Sequence, residues 1–510
     1  MISMHKSTAL CGIDGYIVDV ETDISNGLPG FDIVGLPDAA VKESKERLRA
    51  AIKNSGLTFP SKRITVNLAP ADIKKEGAHF DLPIALGILA ASDQVNTKLG
   101  QDAVFLGELS LNGDLRRVNG VLPMVISAYQ KGIKTVFLPV ENANEAAVVK
   151  GVEVFGVKNL CEILEHFISK KIINPTVVDI DELLRNAEKE KYDFAEVKGQ
   201  LYVKRALEVA AAGGHNILMI GPPGSGKTMI ARRIPSILPD LTFEESLEVT
   251  KIHSIAGNLS SNSPLISERP FRHPHHTISS VGLSGGGSNP RPGEISLSHN
   301  GVLFMDELPE FRRDALEAMR QPLEDGEITI TRSGGTATYP SNVMLVASMN
   351  PCPCGYYGDK VRECSCSQSQ IMKYMGKISG PLLDRIDLHI EVPSVKYDEL
   401  ETKEKGESSE EIKKRVDRAR KIQVERYKGL GIFANSQLTP ELMSKYCVLG
   451  EEANMLLKQA FEALGMSARA HNRILKVART IADLAECENI EAEHIAETIQ
   501  YRALDKKFFN

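Results

Sequence analysis

Ile217-Leu218-Met219-Ile220 runs directly into Gly221-Pro222-Pro223-Gly224-Ser225-Gly226-Lys227-Thr228, a loop of the form G-x-x-x-x-G-K-[ST]. The apolar run reads as a short buried strand, the setting in which this spacing cradles a triphosphate. Gly221, Gly224 and Gly226 let backbone N–H groups turn toward phosphate oxygens, Lys227 can reach the β and γ oxygens, and the Thr228 hydroxyl can bind Mg²⁺. Four fixed positions match by chance in only about two of a hundred chains this long, so an ordinary glycine turn before a helix is a weak rival. The expected chemistry is that of a nucleoside triphosphatase.

Downstream, Gly301-Val302-Leu303-Phe304-Met305-Asp306-Glu307 is an apolar strand ending in two carboxylates. In that pattern the first acid holds Mg²⁺ through water and the second polarises the attacking water. An acidic pair at a strand end is common by itself; the phosphate loop gives it meaning. A third apolar run, Val343 to Ser348, leads to Asn350, whose side chain can sense the γ-phosphate. Strands alternating with helices, with ligand residues at their carboxyl ends, predict a parallel α/β sheet.

At 510 residues the chain is expected to hold two to four domains. With 42% apolar residues, 25% charged residues and a net charge of −6, there is no global basic bias, so any contact with nucleic acid must be local. The first residues, Met1 to Lys6, lack an apolar signal region, and the stretch from Leu82 to Ala91 falls far short of a membrane span. A cytoplasmic protein with no membrane partner is expected, and its eight cysteines should be reduced thiols or metal ligands. The patterning predicts an α/β or α+β domain over 1–175, with strands near Ile17–Val20, Ile64–Leu68, Val104–Leu106 and Thr135–Leu138. A charged linker over 176–196, centred on Glu188-Lys189-Glu190-Lys191, precedes a nucleotide domain over 197–398 and a helical lid over 399–510.

Between the two nucleotide motifs lie Arg269-Pro270-Phe271-Arg272-His273-Pro274-His275-His276-Thr277, Gly285-Gly286-Gly287 and Pro290-Arg291-Pro292-Gly293-Glu294-Ile295. With Asp306-Glu307-Leu308-Pro309-Glu310-Phe311, Gly35-Leu36-Pro37-Asp38 and Gly380-Pro381-Leu382-Leu383-Asp384-Arg385, the chain resembles the magnesium-chelatase-like branch of the AAA+ ATPases, and within it the bacterial ComM/YifB family. The resemblance spans nearly the full length. It implies ATP and Mg²⁺ as cofactors, a ring-shaped homo-oligomer, expected to be a hexamer, and a helicase driving branch migration of single-stranded, forked or branched DNA in recombination or natural transformation. It also implies that Arg385 is an arginine finger reaching a neighbouring subunit's γ-phosphate. Arg469 is the implied lid sensor acting on its own or an adjacent subunit's nucleotide, and Arg473, one helical turn on, is the alternative.

Arg312 to Leu323 reads as a helix and Gly326 to Thr338 as a hairpin with a glycine tip, similar to the pore-lining hairpin of this branch. Arg332 beside the tip would meet phosphates whatever the base sequence, though an ordinary edge hairpin has the same spacing. The loop from Ser254 to Pro292 can carry a second hairpin, and its His273, His275 and His276 read as a packed loop more readily than as ligands. Cys352, Cys354, Cys364 and Cys366 form C-x-C-x9-C-x-C, two short pairs able to give tetrahedral thiolates to a structural Zn²⁺ that braces the loop after Asn350. Ordinary reduced thiols are the alternative.

Residues 106–140, including Gly107-Glu108-Leu109-Ser110 and Gly132-Ile133-Lys134-Thr135-Val136-Phe137-Leu138-Pro139, look like the proteolytic domain of Lon. That raises an ATP-driven protease as a rival function. His79 stands where the family's Ser nucleophile should be and Leu122 where its Lys base should be, so the expected module is a Lon-like scaffold without the peptidase dyad. A chelatase-like motor remodelling a protein partner is the other alternative.

Overall fold

The computed structural model describes residues 2–96, 100, 102–185, 192–260, 263–287, 290–332, 335–359, 362–394, 406–464, 467–502, 504 and 508. The charged Glu188–Lys191 segment, the hairpin tip at Ser333–Gly334 and the charged residues 399–405 lie outside these. Internal contacts divide the chain into two compact units. One comprises Met1–Ala187, Phe243–Ser267 and Gly334–Thr338; the other comprises Glu188–Thr242, Glu268–Ser333 and Tyr339–Asn510.

The first unit is built on strands β1 (Ile2–Cys11), β2 (Asp14–Ser25), β3 (Gly30–Val34), β4 (Arg63–Ala69), β5 (Ala103–Phe105), β6 (Thr135–Pro139) and β7 (Glu153–Val157). They form a seven-stranded sheet of order β3-β4-β2-β1-β5-β6-β7, in which β1–β2 and β2–β4 are antiparallel and the other neighbours parallel. The two-residue period sends Phe105 and Phe137 into one apolar cluster and Val104 and Val136 into another, so both faces are covered. Helix Asp81–Ala91, buried at every position, belongs to the first cluster, and helix Val121–Gln130 to the second. Helix Phe243–Ala256 packs on Val121–Gln130, where the Ser254 hydroxyl bonds the buried Glu145 carboxylate. Polarity hides β1 from any reading of periodicity: Ser3, His5, Ser7 and Thr8 are all buried. Ser7 is accommodated by donating to the Phe105 carbonyl at 2.9 Å.

The second unit contains β8 (Ile217–Ile220), β9 (Phe271–Arg272), β10 (Val302–Met305), β11 (Glu327–Arg332), the end of β12 (Gly335–Pro340, whose residues 335–338 are grouped with the first unit), β13 (Met344–Met349) and β14 (Leu388–Glu391). Five of them make a wholly parallel sheet of order β9-β10-β13-β8-β14, the arrangement that the alternation of strands and helices predicts. The expected hairpin is present as β11 and β12. The helix expected over Arg312–Leu323 is instead two, Arg313–Ala318 and Arg320–Asp325. Pro322 explains the break, because it has no N–H and its ring would press on the Ala318 carbonyl four residues earlier.

The C-terminal stretch is helical over Ser409–Arg426, Pro440–Tyr446, Glu451–Leu464, Ala468–Leu484 and Ala492–Gln500. A capping box between Ser408 and Glu411 starts the first of these. Asp483 is fully buried and accepts from Arg426 at 2.6 and 2.9 Å, from Arg479 at 3.2 Å and from Asn435 at 2.8 Å. Removing the acid strands two guanidinium groups, so Asp483→Ala should cost about 3–5 kcal/mol and lower the denaturation midpoint in a urea titration. Asp483→Glu should recover part of that loss.

Candidate nucleotide site

The loop Gly221–Thr228 joins strand β8, flanked by β13 and β14, to helix Lys227–Ala231. Gly224 (φ 78°) and Gly226 (φ 89°) adopt the left-handed conformation that turns the backbone toward a ligand. Gly221 serves a different need from the one its spacing suggests. A Cβ there would lie 2.1 Å from the Val392 carbonyl oxygen, so close approach to the neighbouring chain demands the glycine. Lys227 Nζ donates to the carbonyls of Gly221 at 2.7 Å and Pro222 at 2.9 Å, and lies 3.4 Å from Ser225 Oγ and 3.3 Å from Asn350 Oδ1. Burial lowers the Lys227 pKa to about 8 against the opposing pull of Asp306 and Glu307.

Thr228 Oγ1 donates to Asp306 Oδ2 at 2.6 Å. The Ser348 hydroxyl donates to the other Asp306 oxygen, which also accepts from the Glu307 N–H at 3.0 Å. Because β8, β10 and β13 are parallel neighbours, Lys227, Asp306 and Asn350 gather at one carboxyl edge of the sheet, the usual ligand edge of such folds. This edge can seat a Mg²⁺-bound triphosphate: a hydroxyl and a carboxylate converge for the cation, and an ammonium and an amide for the phosphates. Glu307 has φ 54° and a half-exposed side chain whose Oε2 is 3.5 Å from His276 Nδ1. His276 stacks on His275 at 4.1 Å, and His273 lies against the Phe304 ring at 4.7 Å.

Cys352, Cys354, Cys364 and Cys366 bring four sulfurs within 4.8 Å of one another, the only such His, Cys, Asp or Glu grouping among the described residues. Separations of 3.3, 3.6 and 3.6 Å among the first three are near the roughly 3.8 Å that a tetrahedron with Zn–S bonds of about 2.3 Å requires. Backbone N–H groups of Tyr357 and Cys366 point at Cys352 and Cys364 sulfurs at 3.3 and 3.4 Å, which suits thiolates. The donor set therefore fits Zn²⁺, which would tie the strand end at Asn350 to the following loop.

Beside the phosphate loop opens a cavity of about 640 Å³, lined in part by Gln200, Tyr202, Pro222, Tyr357 and Phe508. Gln200 Nε2 donates to the Ser225 carbonyl at 3.0 Å. Arg385 and Arg469 lie elsewhere, together, in a separate cavity of about 590 Å³ that also includes Arg473 and Lys476 and none of residues 221–228. Burial and the nearby charges of Arg320 and Arg469 lower the Arg385 pKa. Arg385 bonds Glu324 and the Pro381 carbonyl, and its Nε is buried without a partner. Arg473 sits 3.8 Å from both Asp384 and Asp387, whereas Arg469 is exposed. The exposed Arg332 lies next to a second small hairpin, in which Gly285–Gly286 pairs antiparallel with Arg291–Pro292.

Residues 193–400 match the family described as magnesium chelatase, subunit ChlI; residues 20–142 match subunit ChlI of Mg-chelatase, and 406–502 the ChlI C-terminal family. Competence protein ComM of Haemophilus influenzae is 44% identical over 507 residues, covering 99% of this chain and 98% of that protein. The chain belongs to the ComM/YifB family of magnesium-chelatase-like AAA+ proteins. Within it, YifB of Escherichia coli, an uncharacterized protein, is 43% identical over 99% of this chain and 98% of its own. Lon protease 2 of Bacillus subtilis is 29% identical over 137 residues, 26% of this chain and 23% of that protein, in keeping with a Lon-like fold.

The ComM/YifB family is one of AAA+ ATPases. Ser348 is a neighbour of the candidate residues that motif reading passes over, because only the fold brings it to Asp306. His276, read from the sequence as part of a packed loop, and Arg291, quoted there without a role, are brought beside Glu307 and Arg332 by the fold. No helix among the described residues is long and apolar enough to cross a membrane. The Lys227 environment sets a pH dependence. A triphosphate favours the ammonium form, so nucleotide affinity should be level below pH 8 and fall above it, by up to about tenfold per pH unit, with proton uptake on binding. Calorimetric titrations at pH 7, 8 and 9 in buffers of different ionisation enthalpy measure both effects.

Proposed function

We propose that this chain is an ATP-driven motor that assembles into a hexameric ring and moves branch points in DNA, in homologous recombination or natural transformation, within the cytoplasm. The observation that carries the reading is the separation of Arg385 and Arg469 from the phosphate loop. Each copy has a pocket at one place and a pair of arginines at another, so a complete site needs the arginine cavity of a neighbouring copy. In this reading Thr228 and Asp306 hold Mg²⁺, Lys227 and Asn350 meet the γ-phosphate, Glu307 polarises the attacking water, and the base enters the apolar cavity beside Gln200. Residues 197–398 form the motor core, 399–510 its lid, and 1–175 a Lon-like scaffold without a peptidase dyad. His79 and Leu122, at the dyad positions, are both buried. The four cysteines hold a structural Zn²⁺.

DNA enters through the two hairpins. Arg332 and Arg291 are exposed at strand ends of two neighbouring hairpins, and repetition around a ring turns one such pair per chain into a band of positive charge on a protein whose net charge is −6. The name of the Haemophilus relative, a competence protein, agrees with a role in DNA acquisition.

Glu307→Gln should retain ATP binding and lower hydrolysis about a hundredfold or more, whereas Lys227→Ala should lose binding. Arg385→Ala subunits should bind but barely hydrolyse, and mixing them with Lys227→Ala subunits should restore part of the activity through interfaces that join an intact pocket to an intact arginine. No recovery in a verified co-assembly would refute the shared site. On a fluorescent fork titrated with salt, Arg332→Ala and Arg291→Ala should each reduce the slope of log affinity against log salt by about one. Failure of the ATPase-active protein to bind any fork would shift the reading to a motor acting on a protein partner.

A further inference from the structure

The four-cysteine loop does more than follow Asn350 in sequence. Gly355, between the two cysteine pairs, has φ 88°, and a Cβ added there would lie 2.5 Å from Pro223 Cδ and 2.7 Å from Pro223 Cγ, so the loop is seated on the phosphate loop with no room between. From that seat Pro351, Gly355, Tyr357, Gly358 and Asp359 supply one wall of the 640 Å³ cavity. Tyr357 in turn meets Phe508 edge to face at 6.2 Å, which joins the cysteine loop to the opposite wall. Cys352 is buried, while Cys354, Cys364 and Cys366 are partly exposed. The loop Cys352–Cys366 is helix-free and strand-free among its described residues, and the sulfur cluster ties its two ends while turn bonds and Arg362 on Tyr356 hold its middle.

We infer that the metal held by these cysteines sets the affinity for nucleotide: it fixes the wall that the base rests on and the seat that holds Pro223, and without it the base loses its platform while the phosphate contacts of Lys227 persist. The inference rests on the nucleotide reading above. Losing a stacked aromatic platform typically costs a bound base about 1–3 kcal/mol, roughly five- to more than a hundredfold in affinity.

The test uses full-length protein, with zinc measured by elemental analysis before and after treatment with a chelator. Binding of a ribose-labelled fluorescent ATP and, by competition, of inorganic tripolyphosphate is followed in both states. The zinc-loaded protein should bind ATP, and the stripped protein should bind it at least about fivefold more weakly with little change for tripolyphosphate. Restoring zinc should restore the affinity. Tyr357→Ala, which keeps all four cysteines, should show the same base-selective loss with zinc bound, and it decides the matter if stripped protein unfolds. Absence of metal in the purified protein, unchanged ATP affinity in Tyr357→Ala, or equal losses for ATP and tripolyphosphate would overturn the inference. No ATP binding by the zinc-loaded protein would instead overturn the nucleotide reading itself.

Discussion

The Asp306 carboxylate is the tie that fixes the carboxyl edge of the second unit's parallel sheet. One oxygen takes the Thr228 hydroxyl, the other takes Ser348 and the Glu307 amide, so a single side chain ties the phosphate-loop helix, the end of β10 and the end of β13. The tie is possible only because those strands are parallel and stop at one level. An antiparallel neighbour would carry its terminus to the opposite edge. The apolar strands thus set a geometric condition, and the carboxylate converts it into fixed positions for ammonium, hydroxyl and amide at the ligand edge.

How much of this is legible in the chain depends on whether local sequence or long-range packing decides. Three of the five core strands are legible because they are buried and largely apolar, as Ile217–Ile220 and Val302–Met305 are, whereas Phe271–Arg272 and Leu388–Glu391 carry charged residues and give no such run. β1 is illegible because its interior is furnished with His5, Ser7 and Thr8, polar residues that break the apolar alternation, and the Phe105 carbonyl that takes the Ser7 hydroxyl lies far along the chain. The phosphate loop declares Lys227 and Thr228 through fixed spacing, but Ser348 is one hydroxyl among many until β13 is laid beside β10. Gly221 shows the middle case: the glycine is visible, while its reason, the approach of Val392, belongs to the packed sheet.

The arginines divide in the same manner. Spacing along the helix leaves Arg469 and Arg473 equivalent, one turn apart. Packing separates them, since Arg473 faces Asp384 and Asp387 and Arg469 reaches solvent. A cation committed to two acids of its own chain is a poor donor to a second molecule, whereas an exposed one beside Arg385 keeps its charge available. The same logic places Arg291, unremarkable in a proline-rich segment, alongside Arg332.

Glu307 holds a left-handed backbone, φ 54°, that costs a side-chain-bearing residue about 1–2 kcal/mol relative to glycine. On the proposed role of Glu307 in polarising water, folding stability and chemistry therefore rank the residues at this position in opposite orders. A library sorted only for resistance to heat or protease would enrich glycine at 307 and discard the carboxylate, whereas one sorted for turnover would retain it. On that reading, position 307 gains sturdiness by losing turnover.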